Sequence, residues 1–207
     1  MPVLAAIAKM LVASDIASAI ERIHAGIVPI RDALNAADRE LGDGDTGMTI
    51  AAVVAGWHTL LGALPSDVGE ALIVVGRETS RASGSSLAAV LATGFSAAGR
   101  SMRGKTSLAT ADIVAATSAA AQKITERSGA TAGAKTVLDS LLRVCADARA
   151  QASYDLPAAI ASAKAALAEF RDRPASIGRA RMYGDGARGH DDPGMLAAYL
   201  LLAAGKP

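Results

Sequence analysis

Residues 38–47 read Asp-Arg-Glu-Leu-Gly-Asp-Gly-Asp-Thr-Gly, an acidic and glycine-rich segment between two apolar runs with helical spacing. The apolar positions are Ile20, Ile27, Ile30, Leu34 and Ala37 before the segment, and Ile50, Val53, Val54, Trp57, Leu60 and Leu61 after it. Glycines within the segment permit the positive φ angles of a tight turn. We therefore expect a helix that ends near Asp38, a short loop and a second helix, with the carboxylates of Asp38, Asp43 and Asp45 converging on the turn.

Such a group of carboxylates predicts a metal site. Oxygen ligands without cysteine or a nearby histidine favour Mg²⁺ or Ca²⁺ over zinc, and a site with few carboxylates suits Mg²⁺ completed by water and phosphate. A calcium-binding EF-hand loop that began at Asp43 would need a glutamate at its twelfth position, where this chain has Val54. A solvated acidic turn between two helices is the alternative without chemistry.

The same turn is also predicted to bind phosphate. Thr46 or Thr49 can cap the second helix, whose free backbone N–H groups and positive dipole end then face the metals. The segment Arg-Ala-Ser-Gly-Ser-Ser at 81–86 starts another helical run, with either a phosphate contact or an ordinary serine cap. The segment 129–136 lacks the glycine before Lys135 and the preceding strand that a P-loop requires, so it predicts only a small-residue loop that a flat ligand could approach.

Composition narrows the class of protein. The chain has 207 residues, of which 51% are apolar, and a net charge of +1, so one well-buried domain over residues 1–207 is expected and a nucleic-acid footprint is not. The single Cys145 precludes an internal disulfide and is interpreted as a small core residue. With neither a signal peptide nor an apolar stretch of about 18 residues, a soluble cytoplasmic protein without membrane contact is expected.

An all-α fold is expected, because alanine and leucine are abundant, aromatics make up 3% and strand-like alternation is absent. Short glycine-bearing connections predict an antiparallel bundle or helical barrel. Pro29 should kink the long helix, and the first helix could continue into it. The expected helices cover 3–12, 15–37, 46–63, 66–81, 84–101, 107–127, 134–151, 155–171 and 192–204.

A long loop over 174–194 interrupts the helical pattern, and its glycines, arginines and Asp-Pro-Gly run favour ligand contact over a linker. His190 lies in this loop and is a candidate for a functional role. His24 and His58 fall within helices and are interpreted as rim or polar-face residues. No Ser-His-Asp or Cys-His arrangement emerges.

These segments, in this order, resemble the nucleotide-binding L subunit of dihydroxyacetone kinase. The resemblance rests on Asp38 with the Gly-Asp-Gly-Asp-Thr-Gly run, Ala-Ser-Gly at 82–84, Gly-Ala-Lys-Thr at 133–136, Gly-Arg-Ala at 178–180 and Gly-His-Asp-Asp-Pro-Gly at 189–194. It spans almost the whole chain. It implies an eight-helix antiparallel barrel whose loops at one end hold ADP or ATP on two Mg²⁺ ions.

Carried over by position, the resemblance implies that Asp38, Asp43 and Asp45 bind the metals. The implied nucleotide-binding residues are Thr46, Gly47, Met48, Thr49, Ala82, Ser83, Ser128, Gly129, Val137, Arg179, Asp192, Pro193 and Gly194. The chain departs from the family at Ala134 and Val137, where the family usually has aspartate and methionine, at Ser128 for a glycine, and at Ser80 and Arg81 for two glycines. These departures concern the pocket for the base and leave the metal cluster intact.

The resemblance also implies a chemistry and a partner. Family members transfer a phosphoryl group to a short ketose that a separate K subunit holds as an adduct on a histidine, so this chain is expected to be inactive alone. Either ADP stays bound and a phosphohistidine carrier of the phosphotransferase system rephosphorylates it, or ATP exchanges; Thr46 with Thr49 is closer to the second branch. A non-catalytic Mg-nucleotide module that regulates a partner is the alternative function, and homodimer formation stays open.

Overall fold

A computed structural model describes residues 10–207 of the chain. Helices dominate this part, which confirms the expected all-α class. In order, the elements are β1 Leu11–Val12, α1 Ala13–Ala25, α2 Ile27–Leu41, α3 Thr46–His58, α4 Val68–Ala82, α5 Ser86–Ser101, β2 Ser107–Leu108, α6 Thr110–Ser128, α7 Val137–Gln151, α8 Leu156–Phe170, a 3₁₀ segment Arg179–Ala187 and α9 Pro193–Ala204.

Eight of the helices form a closed ring. Each helix from α2 to α9 packs against the next one in sequence, and α9 packs against α2, while α1 lies against α3 and α9. Short connections between consecutive packed helices place alternate loops at the same end of such a ring. The α2–α3, α4–α5, α6–α7 and α8–α9 connections therefore share one end of the barrel. Between residues 10 and 207, no helix is both long and apolar enough to cross a membrane.

The largest buried cluster fills the barrel between α1, α2, α3, α4, α5 and α9. Its polar exception is the indole of Trp57, whose Nε1–H donates to Oγ1 of Thr79 across 2.8 Å in the buried interior. The ring of Phe95 meets the indole edge-on with centroids 5.5 Å apart. This pairing satisfies the one polar atom of the indole, as burial requires.

The predicted long helix over 15–37 is wrong in one respect: it is two helices, α1 and α2, separated at Gly26. The sequence predicts a kink at Pro29, whereas the break lies at Gly26. Proline lacks an N–H and cannot bond the carbonyl four residues earlier, that of Ala25, so the break lies one turn before the proline. The second part continues to Leu41, which places Asp38 inside the last turn of α2.

The ends of two predicted helices also need correction. Most of the expected helix over 3–12 lies outside the described residues, and Leu11 and Val12 form a strand that pairs antiparallel with Ser107 and Leu108. The helix predicted from 107 begins instead at Thr110. Its start is set by Asp112, whose carboxylate accepts the backbone N–H of Ala109 at 3.1 Å.

Candidate functional site

A cavity of about 500 Å³ opens at the end of the barrel shared by the α2–α3, α4–α5, α6–α7 and α8–α9 connections. Each of these connections contributes to its wall, as does the adjoining turn of α5 and α6. The lining residues are Asp38, Leu41, Asp45, Thr46, Thr49, Ser85, Ser86, Leu87, Ala89, Val90, Thr93, Ile124, Arg127, Ser128, Ala130, Thr136, Val137, Ile177, Gly178, Arg179, Ala180, Asp192, Pro193 and Gly194. The site is therefore assembled from segments far apart in the chain.

The three predicted metal ligands lie close together, and Asp38 and Asp45 line the cavity. One carboxylate oxygen from each of Asp38, Asp43 and Asp45 lies within 4.8 Å of the other two. Asp38 is buried in the last turn of α2, whereas Asp43 and Asp45 lie exposed in the loop. Three hard oxygen donors at this spacing, open to solvent on one side, fit a divalent cation that keeps water or phosphate among its ligands.

Asp38 organises the turn as well as supplying an oxygen. Its Oδ2 accepts the backbone N–H groups of Asp45 at 2.9 Å and of Thr46 at 3.0 Å. Beside it lies Gly42, where an added Cβ would come within 2.3 Å of Asp38 Oδ1. The glycine is required here by close approach, because any side chain would displace the carboxylate that holds the first turn of α3.

Asn35 is a structural residue of this site that the sequence analysis missed. Its side-chain oxygen accepts the N–H of Gly47 at 2.8 Å. A Cβ on Gly47 would lie 2.0 Å from the carbonyl oxygen of Arg31, so the backbones of α2 and α3 approach closely at this point. Asn35 stands three residues before Asp38 on the same face of α2, and this spacing is the signal that could have identified it.

The two loop carboxylates, Asp43 and Asp45, have pKa values shifted in opposite directions. Arg179, from the 3₁₀ segment, forms an ion pair with Asp43, and its hydrogen bond lowers the pKa of that carboxyl. Desolvation raises the pKa of Asp45, and the neighbouring negative charge of Asp43 raises it further. A bound cation would relieve this repulsion, so the donor set and its electrostatics both fit a divalent metal.

At the start of α5, the wall consists of Ser85 and Ser86. Ser85 is the N-cap, whose Oγ accepts the N–H of Ala88 at 3.1 Å, and Ser83 Oγ accepts the N–H of Ser85 at 3.2 Å. Ala82 and Ser83, which the resemblance placed beside the phosphates, do not line the cavity. The helix N-terminus that they precede does, so the end of α5 where backbone N–H groups lack helical partners borders the cavity.

The connection between α6 and α7 holds a buried lysine. Lys135 is only 1% exposed and has a positive φ of 61°. Its Nζ donates to three backbone carbonyls, those of Arg171 at 2.9 Å, Arg173 at 3.0 Å and Ala187 at 2.7 Å. Burial lowers the pKa of this ammonium. Lys135 itself is not part of the cavity wall, which takes Thr136 and Val137 from this connection.

The segment predicted as a long loop over 174–194 contains the 3₁₀ segment and the start of α9. Asp192 is the N-cap of α9, with its Oδ1 accepting the N–H of Met195 at 2.8 Å. Burial raises the pKa of Asp192 to about 6. Asp192, Pro193 and Gly194 all line the cavity, as does Arg179.

Of the thirteen predicted nucleotide-binding residues, eight line the cavity: Thr46, Thr49, Ser128, Val137, Arg179, Asp192, Pro193 and Gly194. Gly47 is buried between helices, Met48 is 57% exposed, and Gly129 caps α6; these three, with Ala82 and Ser83, do not line it. The sequence analysis did not identify four apolar residues that line the cavity, because nothing in the local pattern distinguishes them from core residues: Leu87, Val90, Ile124 and Ile177.

The histidines lie outside the cavity wall. His24 on α1 and His58 on α3 stack with ring centroids 3.9 Å apart. His190 has its Nδ1 3.9 Å from a carboxylate oxygen of Glu40.

Comparisons with known proteins agree with this architecture. A family model described as DAK2 domain matches residues 40–205. Triokinase/FMN cyclase of Mus musculus is 30% identical over 201 residues, which are 92% of this chain and 34% of that protein. The crystal structure of the dihydroxyacetone kinase of C. freundii in its native form superposes with a TM-score of 0.74 at 25% identity, over 91% of this chain and 33% of that one.

A second structure of the C. freundii kinase, in complex with AMP-PNP and Mg²⁺, superposes with a TM-score of 0.72 at 24% identity. That superposition covers 99% of this chain and 35% of the other, and it supports the fold. The chain thus spans about a third of the length of each of these relatives.

Proposed function

The chain belongs to the DAK2-domain family, and from this premise we propose that it is the nucleotide-binding L-type component of a dihydroxyacetone kinase. In this proposal it binds ADP or ATP with two Mg²⁺ ions and delivers a phosphoryl group to dihydroxyacetone or a related short ketose. The ketose is held by a K-type partner. The relatives are about three times as long as this chain, which leaves room in them for a component of that kind.

The observation that carries the proposal is the position of the three carboxylates. Asp38 and Asp45 line a cavity of about 500 Å³, a volume within the range of small-molecule sites, and a carboxylate oxygen of Asp43 lies within 4.8 Å of theirs beside the first turn of α3. Carboxylates alone repel a polyphosphate. An acidic cluster that faces helix N-termini makes chemical sense when divalent cations lie between the carboxylates and the phosphates.

Mg²⁺ bound at Asp38, Asp43 and Asp45 would neutralise phosphate charge and orient the transferring group. The chain's own residues perform the remaining tasks. The N-terminus of α5, which borders the cavity at Ser85 and Ser86, is placed to face phosphate oxygens, whereas the first amides of α3 are held by Asp38 and Asn35. Apolar side chains deeper in the wall, Val90, Ile124 and Ile177, offer surface to the base and exclude water from it.

Arg179 supplies a cation in the wall of the cavity, beside the acidic turn that follows α2. Its guanidinium reaches Asp43, so it lies close to the space where phosphates would meet the metals. A charge-assisted contact from arginine to a phosphate is one of the strong interactions in phosphoryl-transfer sites. We propose that Arg179 contacts the nucleotide phosphates while Asp38 keeps Asp45 and the α3 amides in position.

The first test is binding by the purified chain. Native mass spectrometry before and after EDTA should detect ADP or ATP with two Mg²⁺, or calorimetry should detect magnesium-dependent nucleotide binding. Asp45→Asn should abolish that binding, and Asp32→Asn, an exposed carboxylate on α2 paired with Arg31, is the matched control. A chain that binds no nucleotide in the presence of Mg²⁺ would contradict the proposal.

The second test concerns turnover. With a K-type component and dihydroxyacetone present, the chain should transfer phosphate from ATP, or from a phosphohistidine carrier if ADP stays bound. Retention of ADP through desalting would favour the carrier route. Nucleotide binding without turnover, both with ATP and with the phosphohistidine carrier, would favour the regulatory Mg-nucleotide module over the kinase component.

A further inference from the structure

The buried ammonium of Lys135 joins the two ends of the loop between α8 and α9. Arg171 and Arg173, at the start of the loop, and Ala187, at its end, supply the three carbonyls that accept from Nζ. An ammonium has three donors, so this set satisfies it completely without any carboxylate. The lysine therefore acts as a cross-link between residues that are 14 or more positions apart in sequence.

Two backbone hydrogen bonds reinforce the same closure. The N–H of Ser176 donates to the carbonyl of Ala134, next to the lysine, at 3.2 Å, and the N–H of Gly189 donates to the carbonyl of Arg171 at 3.0 Å. The loop so closed spans 171–189. It carries Ile177 and Arg179 in the wall of the cavity.

This arrangement is costly for the fold. A lysine buried to 1% exposure loses hydration, and a non-glycine residue at φ 61° adopts the left-handed conformation that side chains disfavour. An apolar side chain in this place would avoid the loss of hydration, but it would leave the carbonyls of Arg171, Arg173 and Ala187 without this donor. The geometry is suited to fixing three carbonyls at one point.

We propose that Lys135 is a positioning residue of the nucleotide site: its ammonium fixes the base of the 171–189 loop so that Ile177 and Arg179 form the cavity wall, and it thereby sets ligand affinity without touching the ligand. The effect on affinity rests on the proposed function, whereas the fixing of the loop does not. Lys135 lies outside the cavity wall, so its influence passes through the residues that the loop carries.

The test compares Lys135→Met with Arg22→Met. Methionine keeps most of the side-chain volume and removes the donors. Arg22 offers a matched control, because its guanidinium also donates to a backbone carbonyl, that of Gly205 at 3.0 and 2.7 Å, but on α1 and away from the cavity. Both variants lose a cation that binds carbonyls, and only one of them should disturb the loop.

Amide hydrogen exchange should show faster exchange in Lys135→Met within 171–189, notably at Ser176 and Gly189, with the barrel helices unchanged. The Kd for Mg-ADP should rise about tenfold in Lys135→Met and stay within about twofold in Arg22→Met. In an Arg179→Gln background, Lys135→Met should add less than about threefold, because the residue through which it acts is already lost.

Three results would overturn the inference. One is a Kd of Lys135→Met equal to that of the unaltered chain. Another is faster exchange throughout the barrel with equal loss of affinity in Arg22→Met, which would indicate general destabilisation. The third is full additivity of Lys135→Met and Arg179→Gln. If the unaltered chain binds no Mg-ADP, the proposed function and the affinity effect both fail, and the exchange pattern alone then decides whether Lys135 fixes the loop.

Discussion

The carboxylate of Asp38 accepts the backbone N–H of Thr46 at 3.0 Å, and this bond joins the last turn of α2 to the first turn of α3. The same oxygen accepts the N–H of Asp45. The carboxylate that we propose as a metal ligand thus also fixes the amides at the start of α3. The geometry of the acidic cluster and the stability of the α2–α3 turn are therefore coupled at one side chain.

This coupling predicts different results for two substitutions of Asp38. Asp38→Ala leaves two amides without an acceptor and should lower the free energy of unfolding by about 2 kcal/mol. Asp38→Asn keeps one acceptor oxygen and should cost less stability, yet it should still abolish magnesium-dependent nucleotide binding. Urea unfolding and calorimetry measure the two effects, and equal stability loss in both variants would contradict the role assigned to Oδ2.

Gly42→Ala should weaken Mg-nucleotide binding by at least about tenfold, because the new Cβ would lie 2.3 Å from Asp38 Oδ1 and must displace it. Gly26→Ala is the matched control, since its Cβ would find no atom closer than 3.5 Å and its φ is negative. Calorimetric titration with Mg-ADP compares them. Retained affinity in Gly42→Ala would show that the carboxylate can move without loss.

Asp192 predicts a pH dependence of stability. Burial raises its pKa to about 6 in the folded chain, against 3.8 for the free side chain. The folded state then holds a proton that the unfolded state has released, so its contribution is fully present below about pH 4 and is lost as pH rises through about 6. Asp192→Asn, which keeps an N-cap oxygen, should remove this decline.

The measurement for Asp192 is the free energy of unfolding of both chains between pH 4 and pH 8. Their difference should shift in favour of Asp192→Asn as pH rises, by at most about 3 kcal/mol. A difference that is constant over this range would mean that Asp192 titrates at its ordinary value in the folded chain.

Thr79→Val should lower the free energy of unfolding by about 1 to 2 kcal/mol, because it leaves Nε1 of the buried Trp57 without an acceptor. Trp57 is the single tryptophan of the chain, so its fluorescence follows the transition directly. Thr117→Val removes a threonine hydroxyl that bonds only its own helix, at Ile113, and should cost less. Equal costs would contradict the assigned pairing.

The local pattern was informative wherever neighbours in sequence are also neighbours in space. Apolar spacing predicted the helices, and the glycine-rich turn predicted that Asp38, Asp43 and Asp45 would converge, since all three lie within eight residues. The carboxylates do lie within 4.8 Å of one another. The roles of the individual nucleotide-binding residues stay predictions that the binding experiments address.

The spacing of residues in the sequence could not predict contacts between segments that lie far apart in the chain. The strand pairing of Leu11 with Leu108 replaced two expected helix ends, because backbone groups 97 positions apart met and satisfied each other. In the sequence, Lys135 lies in a segment that lacks the requirements of a P-loop. Its hydrogen bonds to the carbonyls of Arg171 and Ala187 could not be inferred from its sequence neighbours.

The sequence by itself determined the helical class and the acidic turn, because periodicity, capping and glycine placement act within a few residues. Only the tertiary structure decided which side chains form the cavity. Arg179 meets Asp43, and Ile124, which packs in a buried cluster with Leu138, also lines the cavity, because closure of the barrel brings four connections to one end. Burial and charge at that end depend on three-dimensional proximity, which no local pattern specifies.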